Sequence, residues 1–258
     1  MELSEVLERV TQASAVDTDA LQQISDAAAG ENKIPKIVHF CFLDYQNMPN
    51  LQLGCLKTWF ETMGSDWVFV NWTPNISPIE HEFEQYVLDN NKFAFYADYI
   101  RCHKVWQYGG FYMDCDVTLY RDPSDMLDFD YVFDREFERN FMECAAFMAK
   151  RGNQFLEIVC NAYDAQTYLA YEQNPKKFLC GPFWLGALNK AGVSVALSTT
   201  SDLNEYKDFV NNGKPSTLCC LDSNFLCCAQ RGTTWREEQP VPNENAICSH
   251  GFAGSWSY

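Results

Sequence analysis

Residues 93–120 read Phe93-Ala-Phe-Tyr-Ala-Asp98-Tyr-Ile-Arg101-Cys-His-Lys-Val-Trp-Gln-Tyr-Gly109-Gly110-Phe-Tyr112-Met-Asp114-Cys-Asp116-Val-Thr-Leu-Tyr120. Phe93, Ala97, Ile100, Val105 and Tyr108 recur at roughly helical spacing, and the glycine pair after Tyr108 suits a left-handed helix stop. Phe111 to Met113 and Val117 to Tyr120 then have the character of a strand. In a continuous extended chain, side chains two apart share a face, so Asp114 and Asp116 are expected on one side with Cα atoms about 6.5–7 Å apart. Two hard oxygen ligands placed in this way can share a divalent cation and a polyhydroxyl ligand. Asp98 and Arg101, three apart on the preceding helix, share a face and are expected to line the same cavity.

The Asp-x-Asp triplet has no meaning by itself, because Asp17-Thr-Asp19 and Asp128-Phe-Asp130 also match it. The first lies in a polar leader and the second follows a turn at Pro123. Neither ends an apolar strand preceded by two glycines.

With that context, the segments Ala97-Asp98-Tyr-Ile-Arg101 and Tyr108-Gly109-Gly110-Phe-Tyr112-Met-Asp114-Cys-Asp116 resemble the DXD-containing sugar transferases of glycosyltransferase family 32, a family similar to the glucosylating domains of large clostridial toxins. The resemblance continues at Ile34-Pro-Lys-Ile-Val-His39-Phe-Cys-Phe42 and at His250-Gly-Phe-Ala-Gly-Ser255-Trp256. It implies a single Rossmann-like α/β domain of the GT-A type, with a mostly parallel central sheet and helices on both faces. It also implies Mn²⁺ or Mg²⁺ held by Asp116 and Asp114 with help from His250 or Ser255. The implied donor is a nucleotide-diphosphate sugar, of the UDP type. Asp98, Arg101, Gly110, Tyr112 and Asp114 would contact it, and Trp256 would pack on its diphosphate or sugar. Phe42 stands where the family usually has a uracil-stacking Trp. A phenyl ring can stack, and it can equally be core. His39, on the same strand, reads as a hydrogen-bonded core residue.

Bulk properties bound the rest. A chain of 258 residues with 47% hydrophobic and 15% aromatic content can bury one large core. A formal charge of −16 disfavours nucleic acid or an anionic membrane as partner. A protein this acidic needs a bound cation to hold a nucleotide diphosphate. The twelve cysteines sit mostly in apolar runs, and the start Met-Glu-Leu-Ser-Glu-Val-Leu-Glu lacks a basic region followed by an apolar one, so free thiols in the cytoplasm are expected. No apolar run is long enough for a transmembrane helix.

Along the chain, residues 1–33 read as a helical leader, packed on the domain or used for partner contact, and residues 34–258 as the transferase domain. Expected elements are strands at Lys36–Phe42 and Trp67–Trp72, helices at Leu51–Phe60 and Glu80–Leu88, short strands at Tyr131–Phe133 and Ala145–Met148, and a long helix from Gln154 to Tyr171. Strands alternating with helices argue for a parallel sheet, whose ligands bind beyond the carboxyl ends of its strands. Gly181-Pro182 is a turn signal, and the resemblance puts such a pair near the transferred sugar. The vicinal pairs Cys219-Cys220 and Cys227-Cys228 lack zinc-site spacing and read as buried strands joined by residues 222–224. Residues 246–258, with small residues around Gly251 and Gly254, read as an active-site lid.

These readings lead to a metal-dependent hexosyltransferase, retaining by resemblance, acting on a saccharide or lipid-linked oligosaccharide in polysaccharide biosynthesis. Alternatives are a toxin-like transferase acting on protein, a binding module without turnover, and a hydrolase. Acids two apart on one strand cannot flank a glycosidic bond from opposite faces, which disfavours inverting hydrolysis.

Overall fold

A computed structural model describes residues 1–136, 141–166, 170, 173–197, 200, 202–221, 226–228 and 246–251, without the side chains of residues 175, 176, 227 and 228. Its helices are α1 Leu3–Ala13, α2 Thr18–Gly30, α3 Asn50–Thr62, α4 Glu82–Asp89, α5 Phe93–Tyr108, α6 Gln154–Asp164, α7 Cys180–Lys190 and α8 Leu203–Asn212. Its strands are β1 Ile37–Phe40, β2 Val68–Asn71, β3 Gly110–Met113, β4 Val117–Leu119, β5 Tyr131–Val132, β6 Ala146–Ala149, β7 Ser194–Ala196, β8 Thr217–Cys219, β9 Cys227–Cys228 and β10 Cys248–His250.

The central sheet has the order β2-β1-β3-β6-β5. β1 runs parallel to β2 and β3, while β6 is antiparallel to both β3 and β5. Four of the five strands therefore point the same way, and β6 alone is reversed, so the sheet is mostly parallel as expected. Successive side chains on β1 meet helices on opposite faces. The Phe40 ring packs edge-on against Trp59 of α3 (5.7 Å), whereas His39 stacks near Tyr108 of α5 (6.5 Å). On the His39 side, Tyr112 stacks on Phe147 and Phe147 meets Trp184 of α7. These rings are fully buried, so the aromatic content forms the packing between sheet and helices.

α1 and α2 share this core through Val6, Val10, Ala13 and Leu21. Ser25 of α2 donates to the Tyr108 carbonyl (2.6 Å), satisfying one of the open acceptors at the end of α5. Gly109 then has φ 71 and ψ 174, so the stop has the expected positive φ but not left-handed helical geometry. Gly110 follows at φ 124, where a Cβ would lie 2.5 Å from the Ile37 carbonyl oxygen and 2.7 Å from His39 Nε2. Close backbone packing therefore requires the second glycine.

Three segments differ from expectation in a way that matters. The run from Phe111 to Tyr120 is two strands: the Val117 N–H donates to the Asp114 carbonyl (2.9 Å), closing a turn with Cys115 and Asp116 at its centre. β4 leaves the central sheet and joins a second one of order β4-β10-β9. β8, which ends at Cys219, and β9, Cys227–Cys228, lie in different sheets, because β8 pairs with β7. The long helix ends at Asp164, whose carboxylate accepts from the Tyr99 hydroxyl (2.9 Å) on α5.

His39 is buried and accepts from the Trp72 indole N–H at Nδ1 (2.9 Å), which leaves its Nε2–H to donate to the Gly109 carbonyl (2.7 Å). Burial holds its pKa down, to about 4. A depressed folded pKa means that the unfolded chain binds the proton first. The stabilisation is complete above the ordinary value of 6.5 and is lost as pH falls toward 4, at up to ~1.4 kcal/mol per pH unit. Urea denaturation between pH 7 and 4 is expected to show this slope, and His39→Gln to flatten it. An equal slope in both proteins would exclude His39 as its source.

Candidate functional site

The end of β3 carries the cluster. α5 presents Asp98 and Arg101 one turn apart, and Gly109-Gly110 folds the chain back so that β3 delivers Asp114 beside them. Arg101 Nη2 lies 2.7 Å from Asp98 Oδ1 and 3.1 Å from Asp114 Oδ1. Its Nη1 donates to Asp114 Oδ2 (3.3 Å) and to the Cys144 carbonyl (2.6 Å). The guanidinium also lies 4.7 Å from the centre of the Tyr112 ring, and the Tyr112 hydroxyl donates to Asp114 Oδ1 (2.7 Å). This planar fork holds two carboxylates in fixed orientation.

The second half of the cluster comes from the far end of the chain. β10 pairs antiparallel with β4, setting His250 opposite Val117, and the Gly251 N–H donates to the Asp116 carbonyl (3.0 Å). One ligand atom each from Asp114, Asp116 and His250 lies within 4.8 Å of the other two. His250 Nε2 is 3.6 Å from Asp116 Oδ1, and His250 Nδ1 is 3.5 Å from Glu143 Oε2. The other Glu143 oxygen accepts from the Ala145 N–H (2.8 Å), and the Ala145 carbonyl accepts from the Asp114 N–H (2.7 Å). Glu143 is therefore braced against the strand that fixes Asp114.

The titrations follow from crowding. Burial pushes the Asp98 carboxyl up to about 6, with Arg101 opposing and Asp114 adding to the shift. Burial also raises Asp114. For His250, burial works against the charge, but the Asp116 and Glu143 carboxylates outweigh it and hold the imidazole well above its ordinary value. Burial likewise works to raise Glu143, yet the neighbouring His250 pulls it below its ordinary value. Four carboxylates thus face one guanidinium and one imidazole. A divalent cation would offset that excess negative charge.

Several expected contacts need correction or addition. Gly110 begins β3, at the opposite end from Asp114, and packs against His39. Tyr112 is fully buried beneath Arg101 and supports Asp114 from below. Phe42 lies just beyond β1, half-buried, with its backbone N–H donating to the Asn71 side chain (2.7 Å). The Cys115 thiol donates to the neighbouring Cys41 carbonyl (3.7 Å), so the loop after β1 is tied to the Asp114 turn. Ser255 and Trp256 lie outside the described residues. Glu143 and Cys180 were missed by the sequence reading. The Cys180 thiol hydrogen-bonds to Asp98, which brings the N-terminal end of α7, with Gly181-Pro182 in its first turn, to the site. Nothing local marked Glu143 among thirty-five acids, because its partner arrives from β10.

A cation-ready cluster at the carboxyl end of a mostly parallel sheet is the arrangement of a ligand-binding α/β domain. Residues 41–133 match the family described as "Glycosyltransferase sugar-binding region containing DXD motif". Among solved structures, "PaToxG Glycosyltransferase" is similar, with 13% identity and a TM-score of 0.48 over 67% of this chain and 76% of that one. No curated protein matches. Among the described residues, no helix is long and apolar enough to cross a membrane.

Glu143 holds His250 by its Nδ1 edge, which turns Nε2 toward Asp116. Carboxylates in this position orient metal-binding histidines, and their removal typically costs 10–100-fold in metal affinity. Glu143→Gln is expected to raise the Mn²⁺ concentration needed for half-maximal binding by about that factor while leaving the circular-dichroism spectrum unchanged. Unchanged Mn²⁺ affinity would remove Glu143 from this role.

Proposed function

We propose that the protein is a metal-dependent glycosyltransferase that moves a hexose from a UDP-type sugar nucleotide to a saccharide or glycolipid acceptor, with retention of anomeric configuration. The observation that carries the reading is that Asp114 and Asp116, which fall in the segment matching a DXD glycosyltransferase sugar-binding region, converge with His250 so that their ligand atoms lie within 4.8 Å of one another.

Two carboxylates and an imidazole fit a divalent cation, and the mixed oxygen and nitrogen set favours Mn²⁺ over Mg²⁺, which prefers oxygen alone. When bound, such an ion acts as a Lewis acid on the diphosphate that leaves the anomeric carbon. The chain's own groups do the rest. Asp98 and Asp114, fixed by Arg101, are placed to accept hydrogen bonds from sugar or ribose hydroxyls. Arg101 spends most of its donors on those carboxylates and on Cys144, so its part is to hold the acceptors still, with phosphate contact secondary. Phe42, at the same end of the sheet, offers a ring for the base. In this reading residues 34–258 form the transferase domain, and residues 246–258, with Ser255 and Trp256, close over the donor. Rate enhancement comes chiefly from positioning and electrostatics.

The test is incubation with Mn²⁺ and a panel of nucleotide sugars. Chelator-sensitive release of UDP supports transfer, whereas binding without release points to a module that does not turn over. Cleavage of oligosaccharides alone would overturn the reading in favour of a hydrolase.

A further inference from the structure

A second group of metal-binding atoms lies outside the Asp114 site, where α5 packs on α6. Cys102 and His103 are consecutive on α5 and Cys160 sits on α6, and one ligand atom from each lies within 4.8 Å of the other two. Both cysteines are buried, and their thiols hydrogen-bond to each other. The His103 side chain keeps 17% of its exposure, so the group runs from the core to an accessible edge.

Its geometry already approaches that of a filled site. Cys102 Sγ and His103 Nδ1 are 3.4 Å apart. Tetrahedral zinc, with bonds of about 2.3 Å to sulfur and about 2.0–2.1 Å to nitrogen, separates such ligands by about 3.6 Å. The Cys102 thiol and the His103 Nδ1–H each donate to the Tyr99 carbonyl oxygen (3.1 and 2.8 Å), and a bound ion would take the place of both hydrogen bonds. On the other side of the ring, Nε2 lies 3.0 Å from Asp164 Oδ1, a carboxylate that also accepts from the Tyr99 hydroxyl (2.9 Å). A carboxylate that holds the far nitrogen is the usual support of a metal-bound imidazole.

We propose that Cys102, Cys160 and His103 Nδ1 bind a zinc ion that clamps α5 to α6, with the fourth position left to water. Binding replaces the two thiol protons and uses Nδ1 of a neutral imidazole, whose one proton then sits on Nε2 in the bond to Asp164. Two thiolates and a neutral imidazole cancel the charge of Zn²⁺, which suits a half-buried position. Arg101 directly precedes Cys102, so the clamp also stiffens the turn of helix that carries Asp98 and Arg101. The proposal does not depend on the sugar-transferase reading.

The experiment is a Co²⁺ titration of the full chain, stripped with a chelator and kept reduced by a phosphine. One equivalent is expected to give thiolate-to-cobalt charge-transfer absorption that Zn²⁺ abolishes. The band should persist in Asp116→Ala and disappear in Cys160→Ala. His103→Gln, at the exposed edge, should fold normally and weaken cobalt binding at least tenfold, which decides the matter even where Cys160→Ala fails to fold. Absence of the band in the folded wild type, or an undiminished band in His103→Gln and in Cys160→Ala, would overturn the proposal. So would a Cys102–Cys160 disulfide that resists the reductant.

Discussion

Asp116→Ala is expected to lower metal-dependent sugar transfer by about 10³-fold or more, equivalent to ~4 kcal/mol of transition-state stabilisation. Its carboxylate lies within 4.8 Å of the ligand atoms of both Asp114 and His250, so its removal takes away the member that joins the turn after β3 to the strand β10. The backbone should be spared, because the bond from the Gly251 N–H goes to the Asp116 carbonyl and survives truncation of the side chain. The control is Asp130, from the second matching triplet. It precedes β5 at Tyr131, which pairs with Ala149, and Ala149 pairs with Gly110, so Asp130 sits at the end of the sheet away from Asp114. Its partner is Lys150 at 2.6 Å, in a pair open to solvent on the aspartate side. Asp130→Ala should cost no more than about 1 kcal/mol in stability and leave most of the activity. UDP release at saturating Mn²⁺ measures both variants, and equal losses would refute the assignment of the site.

The contrast between these triplets shows what the sequence could carry. Asp98, Arg101 and Asp114 were legible because their proximity is local: one helical turn, a glycine pair that reverses the chain, and a short strand. Apolar runs likewise marked β1, β2 and α3, with limits at Asn50 and Thr62 close to the expected Leu51 and Phe60. Strand propensity could not reveal the turn at Cys115–Asp116, since Val117 to Leu119 remain extended and only their partner changes, from the central sheet to β10. The reversed strand β6, inserted between β3 and β5, was hidden for the same reason: pairing is a long-range choice, and the same apolar run suits either direction. His250 reached the candidate set through family resemblance alone. Glu143 had no signal at all, because its importance comes from a histidine brought in by β10.

That dependence on assembled charge predicts the cost of removing the cation at the centre. Arg101→Ala should destabilise the fold by about 3–5 kcal/mol, because it leaves two neighbouring carboxylates in a buried cluster without their shared partner. Asp98 and Asp114 are 2.7 and 3.1 Å from Arg101 Nη2, and burial already raises both. An acid whose folded pKa is raised contributes stability below its unfolded value and loses it as pH rises through the folded value, here about 6 for Asp98 against an ordinary 3.8. Without Arg101 both carboxyls rise further, so the penalty of the variant is largest above neutrality and shrinks as protonation removes the uncompensated charge. The difference in urea midpoint between wild type and Arg101→Ala should therefore narrow steadily from pH 8 to pH 5, and a second change, Asp98→Asn, should recover part of it at pH 8. A difference that stays constant with pH would mean that Arg101 stabilises the fold by packing on Tyr112 and bonding Cys144, and that the charges of Asp98 and Asp114 are held by something else.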